Sequence, residues 1–266
     1  MGKPGVISTV LCDLDGVVWL AHQPIPGSVE AISRLREAGV RVVFVTNNSF
    51  STRREQHEAL RSVGVEAEGD VVTSAMAAAD HVRGLGRVLV CGGPGLAEEV
   101  EAVGADVVVA HRNPGARGPF DAVVVGMHRE FDYQVLSDAL SAVENGALLV
   151  GSNEDPTYPT TNGVLPGGGS ILAAISHASG RAPVVTGKPH KPMAEMVLRV
   201  CGHPPARDMV MIGDRPDTDG NFAQTLGCRF ALVLSGVTNG AEAPAARSGD
   251  AVVGDLRDAA QWLLDS

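Results

Sequence analysis

The chain has 266 residues, of which 44% are hydrophobic and 20% charged, so it can bury a core and form one large or two medium domains. Its net charge of −10 argues against a nucleic-acid surface, which needs clustered lysine and arginine. A small phosphorylated ligand is not excluded, because one lysine and a bound cation can reverse the field within a single pocket.

The sequence offers no sign of a membrane or an oxidising compartment. No apolar stretch reaches the roughly 18–20 residues that span a bilayer. The segment before Asp13 has one lysine and a short apolar run, which predicts a buried strand rather than a secretory signal. The cysteines at 12, 91, 201 and 228 form no CxxC pair and indicate free thiols rather than zinc ligands or disulfides. These features predict a cytoplasmic protein.

Short apolar strands alternate with amphipathic helices along the chain. Strands are predicted at 6–12, 40–46, 87–91, 106–110, 122–126, 147–151, 209–213 and 230–234. Runs such as RVVFVT and DMVMIG are apolar on both faces, which is typical of strands covered by helices on both sides. The pattern predicts an α/β fold with a mostly parallel, doubly wound sheet.

Helix signals fill the intervals between these strands. The helix at 52–63 opens with a capping box of Thr52 and Glu55 and ends before Gly64. Other helices are predicted at 28–38, 133–145, 170–179, 193–201 and 256–264. The segment 153–170, NEDPTYPTTNGVLPGGGS, is predicted to be a long loop, and loops of that length in compact domains are more often functional than idle.

The most informative residues are Asp13 and Asp15, at the carboxyl end of the first predicted strand. Ligands of open α/β sheets bind at such strand ends. Residues i and i+2 of an extended segment point the same way, so both carboxylates can face one site, while Gly16 lets the backbone turn away. Taken alone, the pair is also compatible with an ordinary acidic turn.

Three further strand ends carry chemically useful groups. Thr46, Asn47 and Asn48 follow the second predicted strand, Lys188 lies in a tight loop after VVTG, and MVMIGDRPDTD places Asp214 and Asp219 after a later strand. Separately these could be a helix cap, a surface charge and a turn. Four such endings in this order favour a common site over coincidence.

Phosphoryl transfer needs this set of groups. A carboxylate can approach a phosphate dianion only when charge is neutralised, and oxygen ligands from Asp13 and Asp214 suit Mg²⁺. Lys188 and the Thr46 hydroxyl can hold the equatorial oxygens. Asp15 can protonate the leaving alkoxide and then remove a proton from water.

The motifs DLDGV, TNNS, GKP and GDRPDTD, in that order, resemble the four motifs of the haloacid dehalogenase superfamily. The long interval between TNNS and GKP, and SNED and LPGGGS within it, resemble the NagD-type branch, which contains 4-nitrophenylphosphatases, phosphoglycolate phosphatases and glycerol-phosphate phosphatases. The resemblance implies a Rossmann-like core from residues 1–74 and 185–266, and an inserted α/β cap domain from 75–184. It also implies a phosphoric monoester hydrolase that acts on a small phosphorylated metabolite, and a homodimer.

The resemblance also assigns roles by motif. It implies that Asp13 is the nucleophile, Asp15 the acid and base, and that Thr46, Asn47 and Lys188 bind phosphate. Asp214 would complete the Mg²⁺ site with Asp13 and the backbone carbonyl of Asp15. Asp219 would be an outer group that holds metal-bound water, and Gly220 departs from the apolar residue usual at its position. Independently of the resemblance, Asn153, Asp155 and Tyr158 in the long loop are candidates for recognising the leaving group, with an ordinary loop structure as the equal alternative.

Other motifs fit their usual functions less well. CGGPGLAEE lacks the third glycine of GxGxxG, and GKPHKP lacks the upstream glycine of a P-loop. LPGGGS before a helix could bind an anion, although shaping a cap loop explains its glycines better. None of the eight histidines has HExxH spacing, and a surface or capping role is predicted for His128 and His190.

Two alternative functions are also compatible with the fold that these motifs imply. A 2-haloacid dehalogenase on the same scaffold would need neither the metal nor the acid/base carboxylate, so Asp15 disfavours it. A catalytically silent metabolite-binding protein would be expected to lack Asp13 or Asp214, and both are present. Release of phosphate from 4-nitrophenyl phosphate, with and without Mg²⁺, separates these alternatives.

Overall fold

The structure is a computed structural model that describes residues 7–160, 163–241 and 243–265. The strands are β1 (Thr9–Cys12), β2 (Trp19–Leu20), β3 (Gln23–Pro24), β4 (Arg41–Thr46), β5 (Val71–Thr73), β6 (Arg87–Cys91), β7 (Asp106–Val109), β8 (Ala122–Val125), β9 (Leu148–Gly151), β10 (Thr157–Thr160), β11 (Gly163–Pro166), β12 (Val184–Val185), β13 (Met209–Gly213), β14 (Arg229–Val233) and β15 (Ala251–Val253). The α-helices are α1 (Ser28–Glu37), α2 (Arg53–Ser62), α3 (Ser74–His81), α4 (Pro94–Ala102), α5 (Tyr133–Glu144), α6 (Gly168–Ser179), α7 (Lys191–Cys201), α8 (Asn221–Leu226) and α9 (Leu256–Leu264).

The chain divides into two compact units. The first contains the chain up to Thr46, Gln56–Val72 and the chain from Lys188, and the second contains Asn47–Glu55 and Thr73–Gly187. Within the described residues, no helix is both long enough and apolar enough to cross a bilayer.

A six-stranded sheet forms the centre of the first unit, in the order β15-β14-β13-β1-β4-β5. The strand pairs β1–β4, β1–β13, β13–β14 and β14–β15 are parallel. One face of the sheet packs against α1 and α9, which contact each other, and α8 packs against β13 and β14. The chain starts at β1 and builds outward in both directions, so the strand order reverses beside β1, where open α/β sheets bind ligands.

The second unit repeats this plan with five parallel strands, in the order β12-β9-β8-β6-β7. Helices α3 and α4 pack on one face, in a cluster with Val88 and Val90 of β6. Helices α5 and α6 pack on the other face, in a cluster with Leu89 and Cys91. The alternation of β6 residues between the two clusters explains why the strand is apolar throughout.

The predicted fold class is confirmed, and the predicted strands and helices outside 153–170 match observed elements within a few residues, whereas α3 and α8 were not predicted. The strands predicted at 87–91 and 209–213 and the helix at 256–264 have the observed bounds. The capping box is also present: the Thr52 backbone N–H donates to Glu55 Oε2 at 2.8 Å, and the Glu55 backbone N–H donates to Thr52 Oγ1 at 3.2 Å. The start of the strand predicted at 6–12 includes Val6, which lies outside the described residues.

The segment 153–170 is not one long loop as predicted. It contains the antiparallel hairpin of β10 and β11, and α6 begins two residues earlier than Ser170. Prolines and glycines within the segment hid the two short strands, because both residue types normally lower the propensity for a strand.

Candidate active site

Asp13 and Asp214 lie at the carboxyl ends of neighbouring parallel strands. Asp13 follows β1 and Asp214 follows β13, and the two strands pair in register from Thr9 with Met209 to Cys12 with Ile212. The Asp13 backbone N–H continues this ladder by donating to the Ile212 carbonyl at 2.9 Å. The strand order reverses at this pair, so the fold itself places both carboxylates at the ligand-binding edge of the sheet.

Lys188 forms ion pairs with two of the predicted site carboxylates. Its Nζ lies 2.9 Å from Asp13 Oδ1 and 2.7 Å from Asp219 Oδ1. Both the Lys188 and Asp219 side chains are almost completely buried. Asp13 and Asp219 raise the pKa of the Lys188 ammonium against the opposing effect of burial, so the side chain is a permanent cation.

Asp219 is positioned by a turn rather than by a strand end. The π-helical turn Pro216–Gly220 brings its backbone N–H within 2.7 Å of the Arg215 carbonyl. Its Oδ2 accepts from the Arg215 backbone N–H at 3.2 Å, and its Oδ1 accepts from Lys188. Burial raises the pKa of the Asp219 carboxyl and the Lys188 ammonium opposes that rise. Both oxygens are therefore occupied by protein donors.

The two carboxylate oxygens of Asp214 differ in their hydrogen bonding. The Val237 backbone N–H donates to Oδ2 at 2.6 Å, whereas Oδ1 is buried with no hydrogen-bond partner among the described residues. Gly16, at φ +83°, and Gly236 lie so close to this carboxylate that any side chain at either position would collide with it. Burial, and next the charge of Asp13, raise the pKa of Asp214 to about 6.

The open oxygen of Asp214 indicates where a cation would fit. One ligand oxygen from each of Asp13, Asp214 and Asp219 lies within 4.8 Å of the others. A buried carboxylate oxygen without a donor is costly, and a hard divalent cation with oxygen ligands would satisfy it. Because Asp219 is already occupied by two donors, Asp13 and Asp214 are the better direct ligands and Asp219 an outer group.

Asp15 contacts a tryptophan in the turn that follows β1. Trp19 Nε1–H donates to Asp15 Oδ1 at 3.2 Å, and an isolated bridge joins the two residues. Burial and the neighbouring charge of Asp13 raise the pKa of Asp15 to about 7, and the Trp19 hydrogen bond opposes this rise. A carboxyl group with a pKa near neutrality can both donate and accept a proton under physiological conditions.

Thr46 is the last residue of β4, the strand that pairs with β1 on the side opposite β13. Its side chain is 3% exposed. The structure thus brings Asp13, Asp15, Lys188, Asp214 and Asp219 into one electrostatic cluster and places Thr46 at the end of the adjacent strand.

The other predicted residues lie in the second unit, where they contact one another. Asn47 Nδ2 donates to Asp155 Oδ2 at 3.1 Å, and the Asn47 carbonyl accepts from Asn153 Nδ2 at 2.8 Å and from Ser74 Oγ at 2.7 Å. Asn153 also accepts from the Asp155 backbone N–H at 3.1 Å. Asn153 and Asp155 therefore fix the position of Asn47. Tyr158 lies on β10, where it pairs with Leu165.

Gly220 has a helical backbone conformation. Its φ of −64° and ψ of −45° are helical, and the turn Pro216–Gly220 runs directly into α8. A Cβ at this position would lie 3.2 Å from the Phe230 ring of β14. An apolar side chain at position 220 would therefore require the Phe230 ring to shift by a few tenths of an ångström.

Sequence reasoning missed two supporting features of the cluster. One is Trp19, which gave no signal because it lies in an irregular turn. The other is the segment 235–237: Ser235 Oγ donates to the Gly16 carbonyl at 2.7 Å, and Val237 holds Asp214. This segment follows β14, so the same strand-end argument, applied to LSGVT, would have found it.

Comparisons with known proteins place this fold and cluster in a family. Residues 10–106 match the model of haloacid dehalogenase-like hydrolases, and residues 185–259 match a second model of the same kind of hydrolase. The chain is 40% identical over 236 residues to D-glycerol 3-phosphate phosphatase of Mycobacterium tuberculosis, an alignment covering 86% of this chain and 64% of that protein. The chain thus spans slightly less than two thirds of that relative.

Two further similar proteins are covered by the alignment over a larger share of their own length. Human glycerol-3-phosphate phosphatase is 36% identical over 258 residues, covering 87% of this chain and 80% of that protein. The crystal structure of a glycerol phosphate phosphatase from Mycobacterium tuberculosis in complex with magnesium superposes with a TM-score of 0.84 at 36% identity, covering 96% of this chain and 77% of that one. The chain belongs to the haloacid dehalogenase-like hydrolases. The predicted family and enzyme class are therefore confirmed.

Proposed function

We propose that the chain hydrolyses small phosphate monoesters, with Mg²⁺ as its cofactor and Asp13 as the covalent nucleophile. The observation that carries the proposal is the cluster in which Lys188 contacts Asp13 and Asp219. Beside it lies the carboxylate of Asp214, one oxygen of which has no hydrogen-bond donor among the described residues. The phosphatases to which the chain is similar, one of them crystallised with magnesium, support the same chemistry.

The bound Mg²⁺ would supply charge neutralisation at the phosphoryl group, with Asp13, Asp214 and the Asp15 carbonyl as its protein ligands. Lys188 holds the phosphoryl oxygens and forms an ion pair with Asp13 at 2.9 Å. Thr46 contributes its hydroxyl to the same oxygens, and Asn47, the next residue in the chain, contributes its backbone N–H.

The reaction has two steps with balanced proton transfers. An oxygen of Asp13 attacks phosphorus, the ester P–O bond breaks, and Asp15 gives its proton to the leaving alkoxide. Asp15, now a carboxylate, takes a proton from water as that water attacks phosphorus. The bond between phosphorus and Asp13 then breaks, which releases inorganic phosphate and restores the nucleophile.

A triose-sized or two-carbon phosphate, such as glycerol phosphate or phosphoglycolate, or an aryl phosphate, is the proposed substrate class. The similarity to glycerol phosphate phosphatases favours glycerol phosphate among these compounds. Asn153, Asp155 and Tyr158 remain predicted contacts of the leaving group.

We propose that the enzyme is cytoplasmic, because its four cysteines are free thiols. The homodimer remains a prediction.

The direct test is phosphate release from glycerol 3-phosphate, 2-phosphoglycolate and 4-nitrophenyl phosphate, with Mg²⁺ or with EDTA. We expect turnover with Mg²⁺ and a loss of at least about 100-fold with EDTA, because the carboxylate cluster would then repel the phosphate dianion. Halide release from a 2-haloacid without metal would instead show a dehalogenase. No turnover of any of these compounds, with ligand binding retained, would show a silent binding protein.

Replacing Trp19 with phenylalanine should lower kcat about tenfold while leaving KM nearly unchanged, because the indole N–H orients Asp15 rather than the substrate. The hydrogen bond lowers the pKa of Asp15, so its loss should raise that pKa. The step that needs the Asp15 carboxylate ionised should then reach its full rate only at a higher pH than in the wild type. Steady-state kinetics across pH measure both effects. Trp262→Phe, at the only other tryptophan, is the matched control, and an equal fall in kcat there would remove the role given to Trp19.

A further inference from the structure

The second unit contains a cluster of imidazole and carboxylate groups that the proposed phosphatase chemistry does not use. His111 lies in the short 3₁₀ helix after β7, and His128 and Glu130 follow β8. Strands β7 and β8 flank β6, the first strand of this sheet, so the cluster lies at carboxyl ends of strands where the strand order reverses. In a parallel sheet this is the edge at which ligands bind.

His128 is the central member of this cluster. Its side chain is 0% exposed, yet neither ring nitrogen has a hydrogen-bond partner among the described residues. The surface role predicted for it from the sequence is therefore wrong, because the ring is buried against His111 and Phe131. The two imidazoles stack with centroids 5.6 Å apart and an interplanar angle of 28°.

An ordinary core histidine is a poor explanation of this arrangement. Buried polar atoms are nearly always paired, and an unpaired one destabilises the fold. Here three buried ring nitrogens lack partners in the described part of the chain: both of His128 and Nδ1 of His111. The clustering of three such atoms points to a group that accepts nitrogen ligands.

The distances suit a metal ion that binds imidazole. One ligand atom from each of His111, His128 and Glu130 lies within 4.8 Å of the others, and Glu130 Oε2 is 4.0 Å from His128 Nδ1. Tetrahedral Zn²⁺, with ligands at about 2.0–2.2 Å, needs its ligand atoms roughly 3.3 Å apart. Glu130 is exposed and His111 half-buried, so both can move the remaining distance toward the fixed His128.

The chemical types of the donors also suit a metal. Two histidines and one glutamate are an established donor set for Zn²⁺, with a fourth position left for water.

We propose that His111, His128 and Glu130 form a binding site for a divalent transition metal of the Zn²⁺ type. The site shares no residue with the carboxylate cluster of Asp13 and Asp214. Its donors are imidazole nitrogens, which favour Zn²⁺ over Mg²⁺, so the two sites would select different ions. A bound ion would join the segments that follow β7 and β8 and stabilise the second unit.

The test uses Co²⁺, because a tetrahedral site with nitrogen ligands gives a much more intense visible spectrum than an octahedral oxygen site. The full-length protein is titrated with Co²⁺ in excess Mg²⁺, which keeps the carboxylate cluster occupied. We expect one equivalent of tetrahedral Co²⁺, displaced by Zn²⁺. His111→Ala should weaken binding at least about 100-fold and Glu130→Gln about tenfold, since each removes one ligand.

Two controls assign the signal to the proposed residues. Asp214→Asn, in the carboxylate cluster, and His177→Ala, at an exposed histidine of α6, should both keep the tetrahedral spectrum. Glu130 is exposed, so Glu130→Gln folds and gives a result even if His111→Ala does not. Absence of a tetrahedral spectrum in the wild type overturns the proposal. So does a spectrum that survives Glu130→Gln and His111→Ala at unchanged affinity.

Discussion

Asp13→Asn should reduce phosphatase turnover at least about 10³-fold, because an amide cannot attack phosphorus. The fold should survive, since Asn Oδ1 can still accept from Lys188 Nζ, now 2.9 Å from Asp13. The Asp13 charge raises the pKa of Asp15 and of Asp214, so its removal relieves repulsion within the cluster. Steady-state assays beside urea unfolding measure activity and stability separately.

Asp217→Asn is the matched control, because it makes the same change in the same motif at a side chain that is 78% exposed. It should retain wild-type turnover. Substantial turnover by Asp13→Asn, above about one tenth of the wild type, would contradict the role of Asp13 as nucleophile.

The covalent intermediate can be trapped in a second variant. Asp15→Asn keeps the nucleophile but removes the group that takes a proton from water, so labelled phosphate should accumulate on the protein from an aryl phosphate, whose leaving group needs little protonation. The label should be released by hydroxylamine, as an acyl phosphate is, and should be absent when Asp13→Asn is added. Label that persists in the double variant would place the phosphoryl group on another residue.

The sequence predicted the fold class and the strand-end residues for one physical reason. Buried parallel strands are apolar on both faces, so polar groups directly after them stand out, and parallel topology brings those ends to one edge. This argument placed Asp13 and Asp214 after strands of one sheet, and the structure shows that these strands, β1 and β13, pair directly. The order of the strands could not be read from the same pattern, because apolar strands carry no mark of their neighbours.

The sequence was less informative where position depends on tertiary contacts. Asp219 contacts Lys188 because a π-helical turn positions its side chain, and such a turn has no distinct sequence signal. The two residues are also 31 positions apart in the chain, so no local pattern connects them. The burial of His128 was missed for a similar reason: its ring packs against His111, a contact that periodicity within one segment cannot predict. The short strands β5, β12 and β15 were missed because two or three residues are too few to show an alternation.

Lys188→Met should destabilise the protein by about 3–5 kcal/mol at neutral pH and abolish turnover, because it leaves buried carboxylates without their cation. Lys188 is 1% exposed and lies 2.7 Å from Asp219, whose side chain is 0% exposed. Methionine has a similar volume, so packing changes little and the loss is electrostatic. Urea unfolding in metal-free buffer measures the change.

The loss should depend on pH with a defined sign. Burial already raises the pKa of Asp15 to about 7 and of Asp214 to about 6, and Lys188 opposes both shifts. Without Lys188 the folded-state pKa values rise further above the unfolded value of about 4. The folded variant then binds extra protons between those values, so its free energy of unfolding falls as pH rises. The deficit relative to wild type should be smallest near pH 4–5 and largest near pH 8.

Lys191→Met is the matched control for this change, since Lys191 is exposed and its replacement should alter stability by less than about 0.5 kcal/mol. Adding Asp219→Asn to Lys188→Met removes one of the stranded charges and should recover part of the lost stability, most clearly at pH 8. If the deficit of Lys188→Met is the same at pH 5 and pH 8, the loss is one of packing. The ion pairs of Lys188 would then not be what holds the four carboxyl groups together.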